Sequence, residues 1–270
     1  MLPNQFATPP TDMVMSPHYG LILNVNFVIL AAVLLWVLND CRKTRRLLPL
    51  LILAGAAVAS LQECMYDVLM NVWYAEIGTN PMYRIFNISV PLWMLPAYVW
   101  YLGGQGYFMY KKFKEGITVG QVWKFYALFW VANLLLELPA LQIGNIYEYY
   151  GSQPFVLLGF PAWMASTNSL VPILFGITFY AFDDVLRGPR SVFAIALAPM
   201  IVAAGETAAG WPIFLALHAG VGVNVTRIAA LVTLAMALLI TYLAALKFAR
   251  PSGAGAEERA QLGHLMQPSR

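Results

Sequence analysis

The sequence predicts an all-α, polytopic membrane protein with seven transmembrane helices, and three observations predict it. Of its 270 residues 60% are hydrophobic and only 11% are charged, against roughly 25% charge in ordinary soluble domains. Apolar runs of about 17–25 residues, the length a bilayer core requires, recur along the whole chain. The basic residues are gathered into alternate connections between those runs, as the positive-inside rule expects.

In order, residues 1–19 carry one acid and no lysine or arginine, so the positive n-region of a secretory signal is missing. The first span is 21–38, closed by Arg42, Lys43, Arg45 and Arg46. The second is 47–70. The third, 88–110, ends at Lys111, Lys112 and Lys114, and the fourth covers 122–143. The fifth, 156–182, ends in Asp183-Asp184, and the sixth covers 192–209. The segment GWPIFLALHAGVGVN is short and broken by Pro212 and glycines, so it reads as a re-entrant turn. The seventh span is 225–248. The connections after spans one, three, five and seven hold 14 of the 16 lysines and arginines; only Arg84 and Arg227 fall on the other side. The N-terminus is therefore expected outside and the C-terminus in the cytoplasm, as in an inner-membrane protein. Residues 1–250 form a single domain, and 251–270 read as a disordered tail. Cys41 and Cys64 differ in depth by roughly 25 Å along helical rise, so they do not pair.

Two stretches repeat. Asn71-Val-Trp, Gly78-Thr-Asn-Pro81 and Pro91-Leu-Trp93 follow span two; Asn145-Ile-Tyr, Gly151-Ser-Gln-Pro154 and Pro161-Ala-Trp163 follow span four. Glu63 and Glu137 are 74 residues apart, and Pro81 and Pro154 are 73 apart. This spacing describes a parallel helix-pair repeat, unless Gly, Pro and Trp recur only because interfaces favour them.

Four acids fall inside spans: Glu63, Asp67, Glu137 and Glu206. An intramembrane carboxylate costs about 2.5–3.5 kcal/mol on insertion scales, and Glu63 and Asp67 share one helix face. Any one of them could merely satisfy a neighbouring polar group, and Asp67, nearest the interface, is expected to be solvated. All four, however, lie within roughly ten residues of the outer ends of outward-running helices. They are expected to line one cavity with Asn133 and Asn168, walled by Trp93, Trp130 and Trp163 as substrate-binding residues. Close carboxylates in a dry site cannot all ionise, so at least one should hold a proton it can donate. Aromatic faces would shelter the resulting cation.

Other chemistry is disfavoured. There is no Walker motif, no GxSxG and no basic patch interleaved with aromatics that would suit nucleic acid. Asp183-Asp184 lacks the further acids of a magnesium–diphosphate site and reads as a helix end paired with Arg187. His218 alone cannot build a histidine-rich metal centre, and Lys247 is too near the helix end for a retinal Schiff base. No cofactor or metal is expected.

A small seven-span chain with intramembrane acids and none of those signatures resembles the integral-membrane terpene cyclases of meroterpenoid pathways. The stretch YEYYGSQPFVLLGFPAWMASTNSLVP, with Glu137 upstream, is also similar to membrane carotenoid hydratases and related cyclases. In the cyclases' helix-two pattern a tryptophan precedes the glutamate; here Gln62 precedes Glu63. The resemblance implies acid-initiated cyclisation, hydration or isomerisation of a lipophilic substrate taken from the bilayer. The catalytic group would be Glu63, Asp67, Glu137 and Glu206, with Glu63 first as acid. The alternative is a proton-coupled small-molecule carrier or sensor. Oligomeric state is open.

Overall fold

The computed structural model describes residues 7–78 and 81–250; the expected tail, 251–270, lies outside the described residues. The body is mostly helical and contains six helices long and apolar enough to cross a membrane. Helix α1 (Tyr19–Thr44) comes first. Helix α2 (Leu48–Ala59) tightens into a 3₁₀ turn (Ser60–Gln62) and continues as α3 (Glu63–Met70), so one crossing holds both. Helix α6 (Val119–Gln142) starts at a capping box in which Thr118 and Gln121 bond each other's backbone. Helices α7 (Ala162–Ala181), α8 (Ala194–His218) and α9 (Val223–Phe248) complete the set. A further helical run, α4 (Met94–Ala97), a π turn (Tyr98–Gly104) and α5 (Gln105–Glu115), occupies the place of the third predicted span. Helix α7 is the hub, packing against α5, α6, α8 and α9.

Small residues set the closest approaches. Gly55 of α2 lies against Ala198 and the Ala194 carbonyl of α8; a Cβ there would stand 2.6 and 2.8 Å from them. Gly103 faces Ala56, and Gly106 faces the Phe175 ring in the same way. The Gly103–Gly106 run is thus a packing device, as small residues are between membrane helices.

Two expectations are corrected. Most of the segment read as re-entrant, residues 210–218, is the last part of α8, which runs unbroken through Trp211 and Pro212 to His218; the rest is the turn into α9. Proline breaks helices in water, but within a packed bundle the freed carbonyl is tolerated. His218 then ties this end down, its Nε2 standing 3.1 Å from the Leu69 carbonyl. The predicted third and fifth spans each begin too early, because β-hairpins precede their helices. One hairpin pairs β2 (Pro81–Ile85) with β3 (Ile88–Pro91); the other pairs β5 (Val156–Leu157) with β6 (Phe160–Pro161). Strand β1 (Val72–Tyr74) pairs antiparallel with β4 (Tyr147–Tyr149), Trp73 opposite Glu148.

These strands form a cap over one end of the bundle. Its loops also finish α3. Asn71 takes the left-handed conformation at the helix end, Gln153 donates to the Met70 carbonyl at 2.7 Å, and the Tyr150 amide donates to the Asn71 carbonyl at 2.9 Å. Carbonyls that a helix end leaves unpaired are thereby satisfied.

The opposite end is basic. Asp183 is held there by Arg46 at 2.6 Å, by Lys114 at 3.2 Å and by the Tyr110 hydroxyl. Arg187, expected as its partner, stands 4.0 Å away. Arg46 also donates to the Asp183 and Leu186 carbonyls, so it clamps the turn after α7 to the α1–α2 connection. Burial alone would raise the Asp183 carboxyl's pKa, but the Tyr110, Arg46 and Lys114 bonds outweigh it and hold it below the usual range. A lowered folded-state pKa means the contribution is whole at neutral pH and is lost as pH falls below about 4. Asp183→Asn should cost about 1–2 kcal/mol at pH 7, since these bonds are charge-assisted but partly wet. The difference from the parent should shrink steadily as pH falls below about 4, read by thermal unfolding in detergent across the acid range.

Candidate functional site

Beneath the strand cap lies a chamber of about 70 Å³, and all four predicted acids line it. Glu63 and Asp67 come from α3, Glu137 from α6 and Glu206 from α8. The 3₁₀ turn before α3 is stabilised by Tyr83, whose hydroxyl donates to the Ser60 carbonyl at 2.5 Å. On the facing side the π turn carries Tyr98 and Tyr101 to the wall. A 3₁₀ and a π segment inside longer helical runs are departures that frequently mark functional positions.

Two of the acids are anchored by phenols. Tyr74 and Tyr98 donate to the two oxygens of Glu63 at 2.5 and 2.6 Å. Tyr147 donates to Glu137, Tyr149 donates to the same oxygen at 3.2 Å, and the Asn133 amide donates to the other at 3.4 Å. Burial pushes the phenols of Tyr74, Tyr147 and Tyr149 well above their ordinary pKa, and the neighbouring carboxylates push the same way. These three tyrosines therefore stay neutral donors throughout the physiological range.

The other two acids are less constrained. Asp67 is 2% exposed and Glu206 4%, yet Asp67 Oδ2 and Glu206 Oε2 have no partner. Asn133 Oδ1 and Trp93 Nε1 on the same walls are also unmatched. Buried polar atoms nearly always find partners, so four orphans on one void ask for an explanation. No lysine, arginine or histidine among the described residues lines the chamber. Among the described residues, no three His, Cys, Asp or Glu side chains are gathered as a metal ion's ligands would be. The carboxyls therefore sit around the walls rather than at one point.

Trp93, Asn133 and Asn168 line the void, as the sequence suggested. Trp130 and Trp163 do not. Trp163 turns toward Phe214, with ring centroids 6.0 Å apart, and donates to Gln153 at 3.3 Å; Trp130 packs half-buried among core side chains. Asp67, expected to meet solvent, is buried because the strand cap roofs it. The tyrosines were missed as acid partners. The period-2 alternation of Tyr147 and Tyr149 was the available signal, since it sends both side chains to one face of a strand.

Compared with known protein families, characterised proteins and solved structures, the chain matches none.

Proposed function

We propose that the protein is a membrane enzyme that performs acid-initiated cyclisation, hydration or isomerisation of an isoprenoid or similarly lipophilic substrate. The observation that carries this reading is the convergence of four carboxyls, two with an unpartnered oxygen, on an aromatic chamber lined by no cationic side chain among the described residues. Such a site has protons to give and ring faces to stabilise the cation that results.

Geometry favours a revised division of labour. Asp67 is the acid, because its free oxygen can direct a proton at a guest. Glu63, one turn away and the least buried of the four, returns the proton to it. Glu137, fixed by two phenols and Asn133, accepts the final proton or positions water. The void is smaller than the roughly 300 Å³ of ordinary ligand pockets. It suits the reacting end of a substrate, and the flexible Met70, Met94 and Met164 on its wall can yield to the rest. A carrier would need a polar route past the chamber, whereas the hub helix beyond it buries Leu170, Ile173, Phe175 and Ile177.

In this reading the run Met94–Glu115 is the seventh span, the strand cap is extracytoplasmic and the basic end faces the cytoplasm. The two halves are read as a parallel repeat. Support comes from their common order of helix, strand, hairpin and helix. The spacing of 74 residues between Glu63 and Glu137 matches that order.

The test is conversion of geraniol, farnesol and geranylgeraniol by the purified chain in deuterated water. A product formed by proton donation to an alkene carbon should carry deuterium there; no conversion, or product without label, rejects protonation at carbon as the initiating step.

A further inference from the structure

We infer that the chamber is a receptor for an amphiphilic organic ammonium ion, whose charged head sits among the acids and whose tail follows the methionine-lined wall. The inference rests on the chamber being the functional site, but it requires no turnover.

Its basis is an imbalance of donors and acceptors. Three of the four unmatched atoms on the walls are acceptors: Asp67 Oδ2, Glu206 Oε2 and Asn133 Oδ1. A carboxyl can relieve its own case by keeping a proton, but the amide oxygen of Asn133 cannot. A primary ammonium brings three N–H donors. It also brings positive charge to a site with four acidic side chains and, among the described residues, no basic one. An ion buried without an opposite charge is costly; the same ion among carboxylates is compensated.

The walls add a second, independent argument. Trp93 and Tyr147 stand with ring centroids 5.8 Å apart, Tyr147 and Tyr74 with centroids 5.5 Å apart, and Tyr98 lines the same void. Aromatic faces attract ammonium groups, most strongly when both are out of water. Competing guests fit less well. An inorganic cation would want ligands gathered at one point, and here the acids are dispersed around the walls. A neutral alcohol supplies one donor and no charge, and a carboxylate would be repelled.

The experiment is calorimetric titration of the full chain, in phosphatidylcholine nanodiscs at pH 7, with octylamine, octanol and octanoate. Heats from empty nanodiscs are subtracted. Octylamine should bind saturably with one site, octanol at least tenfold more weakly, and octanoate not at all. Glu206→Gln should weaken octylamine tenfold or more while leaving the octanol isotherm unchanged. Should that variant fail to fold, the wild-type ranking decides alone. Octanol equal to octylamine, or no saturable octylamine signal, overturns the inference. Octylamine binding in a chain that converts no isoprenoid would sink the enzymatic reading and leave this one standing; turnover without amine binding would do the reverse.

Discussion

Asp67→Asn will lower turnover by at least a hundredfold while leaving thermal stability unchanged or raised. General acids typically contribute a factor of about 10²–10⁴, and asparagine keeps the side chain's shape while removing its transferable proton. The stability half of the expectation separates roles. If Asp67 were a structural side chain, replacing it would break bonds and lower the unfolding temperature. Instead one of its oxygens is buried without a partner, an arrangement that costs stability and is tolerated at sites selected for activity. Glu63→Gln should produce a smaller loss, about tenfold to a hundredfold, because its oxygens are already engaged by Tyr74 and Tyr98. Tyr98→Phe should cost less again. Turnover on isoprenoid alcohols and unfolding scans of the same preparations measure both halves. Full activity in Asp67→Asn rejects the assignment.

How much of this was legible in the chain depends on which force decides each element. Hydropathy and length located the helices, because a membrane helix is defined by what it must exclude and a single strand of sequence carries that information. That the four acids could meet at one level was legible for the same reason, since position along a helix of known rise fixes level directly, and all four line one void. What hydropathy cannot say is where a helix stops being one. Val72–Tyr74 and Tyr147–Tyr149 are too short and too aromatic to stand out from an interfacial belt, so their pairing was invisible. With the strands went the phenols they deliver to Glu63 and Glu137. Pro212 misled in the opposite direction, since the rule that proline ends a helix is weakest inside a packed bundle.

The rotation of each helix was harder to read than its depth. Asn133 and Glu137, four apart on α6, both reach the void, but Trp130, on much the same face, falls below its floor. Trp93 and Trp163 occupy matching places in the two repeat-like stretches, each after a Pro-X step. Only Trp93 lines the chamber, because Phe214 and Gln153 draw Trp163 aside. A matching sequence position came with different neighbours. Side-chain partners come from other helices, which no local pattern encodes.

Gly55→Val should destabilise the protein by about 2–3 kcal/mol and reduce whatever the chamber does, although it lies well away from the acids. Overpacking a close interface costs about 1–3 kcal/mol, more where backbone must move, and here the Ala194 carbonyl and Ile195 Cα stand in the way along with the Ala198 Cβ. The site depends on this contact because α2 carries Glu63 and Asp67 onward through the 3₁₀ turn, while α8 carries Glu206. Prising the two apart opens the chamber between its own walls. Gly55→Ala is the graded version, and pairing it with Ala198→Gly should return part of the loss, since that removes the 2.6 Å obstacle and leaves the carbonyl at 2.8 Å. The coupling is a double-mutant cycle on unfolding temperature in detergent, and directly packed residues should be non-additive. Additive effects would mean that α2 and α8 do not meet at Gly55, and the account of how three of the four acids are held together would fail with that contact.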